Sequence, residues 1–169
     1  MVALLVLALA FVPMAFEARL AAQHDRALRA AGAVEPHDDV YRWMQVIYPA
    51  AFLCMAGEAA VRHAQFNRTL SAGIAIFIAA KAIKYWAIAT LGSRWTFRVL
   101  VPPSSSVIDR GPYRYMRHPN YLGVLGELAG LALAARAPIS GTLSVAAFTV
   151  LLVRRIRVEE RALERAGST

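Results

Sequence analysis

The sequence predicts an all-α, polytopic integral membrane protein of about five transmembrane helices. Three observations predict it. The 169 residues are 58% hydrophobic with a mean hydropathy of +0.45, too little polar surface for a soluble domain of this length. The apolar residues gather into five runs: Val2 to Phe16, Val46 to Val61, Leu70 to Leu91, Tyr121 to Ala135 and Ile139 to Val153. The net charge of +8 is carried by 17 Arg against 2 Lys, and the arginines cluster between the runs. That placement fits a membrane topology signal better than a nucleic-acid surface, so no nucleic-acid partner is expected.

Taken in order, the first run has the length of a secretory signal, but no Lys or Arg precedes it, so it is read as a retained helix. The polar connection after it holds His37, Asp38 and Asp39, a cluster of metal-ligand types in a loop before Tyr41. No metal is expected there. The second run contains Cys54, the single cysteine, which excludes an internal disulfide and reads as a small hydrophobe. Glu58, near the end of that run, reads as interfacial. The sequon at Asn67 lies so close to the membrane that it reads as chance. The third run carries Lys81 and Lys84. The fourth and fifth meet at "ARAPIS", where Pro138 marks a tight helix–helix turn. Several runs are shorter than the roughly 20 residues of a straight span, so their ends must extend into polar sequence. No internal repeat is visible, and residues 1–169 read as one domain, with N-terminal helices over 1–69 and a core over 70–169.

Five spans place three arginine-bearing segments on one side. Residues 17–45, 92–120 and the tail after Val153 together hold 14 Arg, against 3 (Arg62, Arg68, Arg136) on the other side. The excess predicts an amino terminus outside and a cytoplasmic tail.

Charges within the spans are functional candidates. Lys84 lies seven residues before Leu91 and Glu127 six after Tyr121. Both sit about 9–10 Å from the same face, so they are expected to pair or line one polar cavity. Lys81, one turn deeper, is long enough to snorkel.

The cytoplasmic loop ends in "RYMRHPNYLG", residues 114–123, at the mouth of an apolar helix. Pro102, Pro103 and Pro112 stiffen the loop, and Gly111 permits a turn. Pro119 fits the first turn of the fourth helix, which leaves N–H groups suited to an anionic group. Interfacial anchoring would account for Arg114, Arg117 and Tyr121, but not for His118, Asn120 or the proline. In the tail "RRIRVEERALERAG", Arg155 and Glu159 share a helix face, and Arg157 pairs by spacing with Glu160. A solvated, salt-bridged helix end explains that pattern. A carboxylate facing the loop could instead hold a cationic ligand group.

"GPYRYMRHPNYLG" followed by "RIRVEERAL" resembles the isoprenylcysteine carboxyl methyltransferase family and the related membrane phospholipid methyltransferases. The shared pattern is G-x-Y, R-H-P-x-Y, a hydrophobic hairpin and R-I-x-x-E-E, over roughly residues 80–165. "LGSRWTFRVLV" is similar to a bacterial branch that O-methylates alkylpyrones. The resemblance implies S-adenosylmethionine bound on the cytoplasmic side, in a pocket formed by the loop before the fourth helix and the extension of the fifth. No G-x-G-x-x-G is present, which agrees. Carried over by position, Val107, Ile108, Tyr113, His118, Pro119, Asn120, Tyr121, Glu159 and Glu160 are the expected cofactor-binding residues, with Glu159 on the amino group. Arg155 is expected to meet the acceptor as the catalytic residue, and Lys84 and Glu127 to contribute to substrate binding. The implied acceptor is lipophilic: an isoprenylcysteine-like carboxylate or the acidic enol or phenol of an alkylpyrone-like lipid. Membrane lipids are the other expected partners, and the bacterial inner membrane the expected location. Two alternatives share these motifs: an NADPH-dependent sterol-reductase-like enzyme, and a non-catalytic scaffold.

Overall fold

The computed structural model describes residues 1–36, 40–100 and 108–167, the side chains of 163–167 excepted. Five α-helices follow in chain order: α1 Val2–Ala30, α2 Tyr41–Val61, α3 Arg68–Leu91, α4 Pro119–Ala134 and α5 Pro138–Gly167. Short 3-10 turns occupy Gly92–Arg94 and Gly111–Arg114. The protein is an all-α, polytopic membrane protein. Val2–Ala30, Tyr41–Val61, Arg68–Arg94 and Pro138–Ala162 are long and apolar enough to cross a membrane. These meet four of the five expected spans. At 16 residues, α4 is about 24 Å long and does not reach that length by itself.

The helix ends follow local chemistry. Pro119 and Pro138 each open a helix, where a missing N–H costs nothing. Asn67 caps α3, its side-chain oxygen accepting from Leu70 N at 3.0 Å, which accounts for the asparagine of the sequon. Glu58, at the end of α2, accepts from Ser140 N (2.7 Å) and Ser140 Oγ (2.7 Å), and so caps α5. Gly111 has φ +57°, and a Cβ there would strike the Thr90 side chain, so only glycine turns the chain here. The largest departure from expectation is α1. Its apolar part ends at Phe16, but the helix runs on to Ala30 through Ala, Leu and Arg, all strong helix formers.

The tightest pair is α3 against α4. A Cβ on Gly130 would lie 2.7 Å from Phe77 N, and one on Gly123 would lie 2.8 Å from Lys84 Cβ. The backbones therefore meet without intervening side chains, as small residues allow in membrane helices. The deepest apolar core is Phe52, Met55, Leu128 and Leu131, each 0–1% exposed. Glu58 and the α5 start mark one end of the bundle. The carboxyl-terminal half of α1, the starts of α2 and α4 and the extension of α5 meet at the other.

Candidate active site

A cavity of about 630 Å³ lies at that second end. Its floor is a buried set of charges from three helices. Glu17 of α1 accepts from Lys81 Nζ (2.7 Å) and Lys84 Nζ (2.6 Å) of α3. Glu127 of α4 lies 3.0 Å from Lys81 Nζ and 3.2 Å from Lys84 Nζ. Tyr48 of α2 donates to Glu127 at 2.6 Å. Two carboxylates face two ammoniums, so the buried set is electroneutral, and each charge has its partner in the low-dielectric interior. The expected pairing of Lys84 with Glu127 is present. Lys81 does not snorkel: it is 8% exposed, because two carboxylates hold it inside.

One wall comes from the end of the loop, α4 and α5. Arg155 Nε donates to Tyr121 Oη at 3.0 Å, and Tyr121 Oη donates to Glu159 Oε2 at 2.6 Å. Because the phenol oxygen accepts from Arg155, its one proton is committed to Glu159. Tyr121 of α4 thus bridges Arg155 and Glu159, which lie one turn apart on α5. The His118 and Tyr121 rings stack at 5.4 Å. His118 lies 4.0 Å from Glu159 and 3.6 Å from Glu160, and Arg117 lies 3.7 Å from Glu160. Burial pushes the Tyr113 phenol well above its usual range, and the Glu159 charge adds to this, so Tyr113 stays a neutral donor. Among the described residues, His118 Nε2 and Asn120 Oδ1 are buried without a hydrogen-bond partner. Fewer backbone N–H groups are open than expected, since Tyr121 N bonds back to the His118 carbonyl at 3.2 Å.

The segment after α3, pinned to α1, also lines the cavity. His24 Nδ1 lies 2.8 Å from the Trp95 carbonyl. Arg98 reaches Asp25 Oδ2 at 3.3 Å and Glu35 Oε1 at 2.8 Å, over the ring of Tyr41. Arg29 also pairs with Glu35. Burial would raise the Glu35 carboxyl, but hydrogen bonds and charge from both arginines outweigh it and hold the group below its usual range.

Tyr113, His118, Asn120, Tyr121, Arg155, Glu159 and Lys84 all line this one cavity. Glu160 faces Arg117 and His118 rather than Arg157. Pro119 is buried at the α4 start, and Glu127 pairs with Lys84 behind the lining and is not itself among the lining residues. Ile108 is half-buried and is not among the lining residues. Val107, Pro102, Pro103 and the cluster at 37–39 lie outside the described residues. Among the described residues no group of His, Cys, Asp and Glu could hold a metal ion. Sequence reasoning missed Glu17, Asp25 and Trp95. Glu17 was visible as the one acidic residue directly after the first apolar run.

The family model described as the isoprenylcysteine carboxyl methyltransferase (ICMT) family matches residues 73–165. The uncharacterized protein YpbQ of Bacillus subtilis (strain 168) is 29% identical over 160 residues, covering 95% of each chain. An uncharacterized protein of Haemophilus influenzae is 29% identical over 159 residues, covering 94% of this chain and 90% of that one. No solved structure matches.

Proposed function

The chain belongs to the isoprenylcysteine carboxyl methyltransferase family, a family of membrane methyltransferases, and on that premise we propose that it transfers a methyl group from S-adenosylmethionine to an oxygen of a lipophilic acceptor. The observation that carries this reading is the convergence of Glu159, Tyr121, Arg155, His118 and Asn120 on one cavity. There, among the described residues, Asn120 Oδ1 is buried without a hydrogen-bond partner, and His118 Nε2 reaches only Glu160, at 3.6 Å. Orphaned buried polar atoms cost about 1–3 kcal/mol each, which a bound ligand recovers. The cavity volume of about 630 Å³ suits a ligand of drug-like size.

S-adenosylmethionine, when bound, supplies an electrophilic methyl group on a positively charged sulfur. Glu159 accepts from the ammonium of the methionine part in a charge-assisted contact. Tyr121, held by Arg155, fixes the orientation of that carboxylate. His118 and Asn120 present the polar edge of the wall, and Tyr113 and Tyr121 offer ring faces that favour the sulfonium and the adenine. Arg155, one turn before Glu159, orients the acceptor oxygen toward the methyl group. Placing both reactants in one cavity makes the displacement effectively unimolecular. Lys84 lines the cavity beside the acceptor, and Glu127 holds its ammonium in place.

Glu159→Gln tests the assignment. The variant keeps the shape and loses the charge, so S-adenosylmethionine affinity should fall about ten- to a hundredfold by equilibrium binding. Unchanged affinity in a folded variant would reduce Glu159 to a surface residue. Incubating membranes with labelled S-adenosylmethionine and extracting lipid-soluble products tests the activity itself.

The site also requires access to a soluble cofactor. The arginine distribution supports an amino terminus outside and a tail in the cytoplasm, in a bacterial inner membrane. A reporter active only in the cytoplasm, fused after Thr169, should be active. Activity of an export-dependent reporter there would overturn the orientation.

A further inference from the structure

A second cavity, of about 640 Å³, lies at the other end of the bundle, between the turn from α2 to α3 and the turn from α4 to α5. The proposed methyl transfer makes no use of it. Arg62 and Thr69 line it from the first turn, and Leu133, Arg136 and Thr142 from the second. These turns bring three arginines to this end, Arg62, Arg68 and Arg136, and two of the three line the cavity. No acidic residue lines it. Glu58 holds Arg62 by Nε at 2.9 Å and is itself engaged by Ser140 N and Oγ, so the terminal nitrogens of Arg62 are left to other partners. Among the described residues Arg136 has no ion pair. Its backbone is also strained. The end of α4 is a Schellman turn, with Ala137 N on the Ala132 carbonyl (3.0 Å) and Arg136 N on the Leu133 carbonyl (3.1 Å). The left-handed position of such a turn favours glycine, yet Arg136 fills it at φ +51°. His63 takes the same place after α2 at φ +48°, and these are the two non-glycine residues of positive φ among the described residues. Strain of this kind gathers where a ligand is clamped. The turn would be more stable with glycine, so what the arginine adds is its guanidinium.

We propose that this cavity binds the head group of an anionic phospholipid, with the phosphate between Arg62 and Arg136 and the acyl chains along Leu133. The cavity stands at the ends of membrane-spanning helices, the depth at which lipid head groups lie. Guanidinium forks match phosphate oxygens with paired, charge-assisted hydrogen bonds. The Thr69 and Thr142 hydroxyls can donate to, or accept from, a hydroxylated head group. With no carboxylate in the lining, a head-group amine finds no partner, which selects a glycerol head group over a zwitterionic one. Leu133 is 38% exposed and carries the lining out to the apolar surface. One lipid bound in this way ties the α2–α3 turn to the α4–α5 turn from outside the bundle.

Full-length protein, stripped of lipid in detergent, is titrated with phosphatidylglycerol, phosphatidylcholine or inorganic phosphate while thermal unfolding is followed. Phosphatidylglycerol should raise the Tm with concentration, and the other two much less. Arg136→Gly should act in two opposite directions. Without lipid its Tm should rise by about 2–4 °C, because the left-handed turn is relieved. Its affinity for phosphatidylglycerol should fall about tenfold, because a charge-assisted contact is gone. Arg62→Gln should weaken the lipid to a similar extent. Arg68→Gln removes a charge at the same end that does not line the cavity, and should leave the affinity unchanged. Unchanged lipid affinity in Arg136→Gly and Arg62→Gln would overturn the proposal, and an equal loss in Arg68→Gln would reduce it to general surface charge. Equal stabilisation by phosphatidylcholine would remove the selection for an anionic lipid. A rise in Tm as large with inorganic phosphate would make this a free-phosphate site and overturn the lipid. A lipid-free Tm that falls in Arg136→Gly would show that the arginine serves the turn itself, which also overturns it.

Discussion

Glu17→Ala is expected to destabilise the protein by about 3–5 kcal/mol, the usual cost of removing one partner from a buried ion pair. Glu17 is 1% exposed and holds both Lys81 and Lys84. Without it, two ammoniums share the single carboxylate of Glu127 in a low-dielectric interior. The tie from α1 to α3 is lost with it. For a chain of this size the fall in Tm is roughly 6–20 °C, measured by thermal unfolding in detergent. Replacing Glu17 and Lys81 together by methionine should recover much of the loss, because a matched pair of charges is then removed. A Glu17→Ala variant that melts within a degree or two of wild type would show that water or lipid reaches the set.

Arg155→Lys is expected to slow methyl transfer about ten- to a hundredfold while S-adenosylmethionine affinity changes little. Lysine keeps the charge and a donor for Tyr121, so Glu159 stays oriented. It lacks the planar fork that would hold the acceptor oxygen. Arg155→Ala should be worse, since Tyr121 is also released and the proton it gives to Glu159 is no longer committed. Arg154 is exposed, about 100° away around the helix, and Arg154→Ala should be mild. Equal losses at the two positions, or weakened cofactor binding in Arg155→Lys, would remove Arg155 from the acceptor's side.

The sequence made the helices legible where hydropathy and proline agree. Pro119 and Pro138 open α4 and α5 where expected, because a proline at the first helical position is a local signal. The wall of His118, Tyr121, Arg155 and Glu159 was legible too: the first two share one helical start, and the last two are four residues apart on another helix. The Lys84–Glu127 pairing followed from equal depth in two antiparallel spans. The rest depends on contacts between distant segments. The polar half of α1 was hidden because hydropathy falls at Glu17 while helix propensity does not. With that half read as a loop, nothing placed Glu17 opposite Lys81, or His24 beside Trp95, 71 residues away along the chain. A buried charge whose partner is remote looks the same in sequence as a solvated one.

The contact between α3 and α4 has a consequence for traffic. Where Gly130 meets the Phe77 backbone and Gly123 meets Lys84, no side chain stands between the helices to swing aside. Parting them would require both helices to translate and would break the charge set in the floor. They form a closed seam. The boundary between α2 and α5 differs, being filled by the rings of Tyr48, Phe52 and Phe148, with centroids 4.9–5.0 Å apart. Rings can rotate without moving a helix axis. On the proposed reading, a hydrocarbon tail attached to a head group in the cavity would leave the bundle at a boundary packed by side chains rather than through the seam of α3 and α4, and at the boundary of α2 and α5 the far ends of the two helices are latched by Glu58 on Ser140.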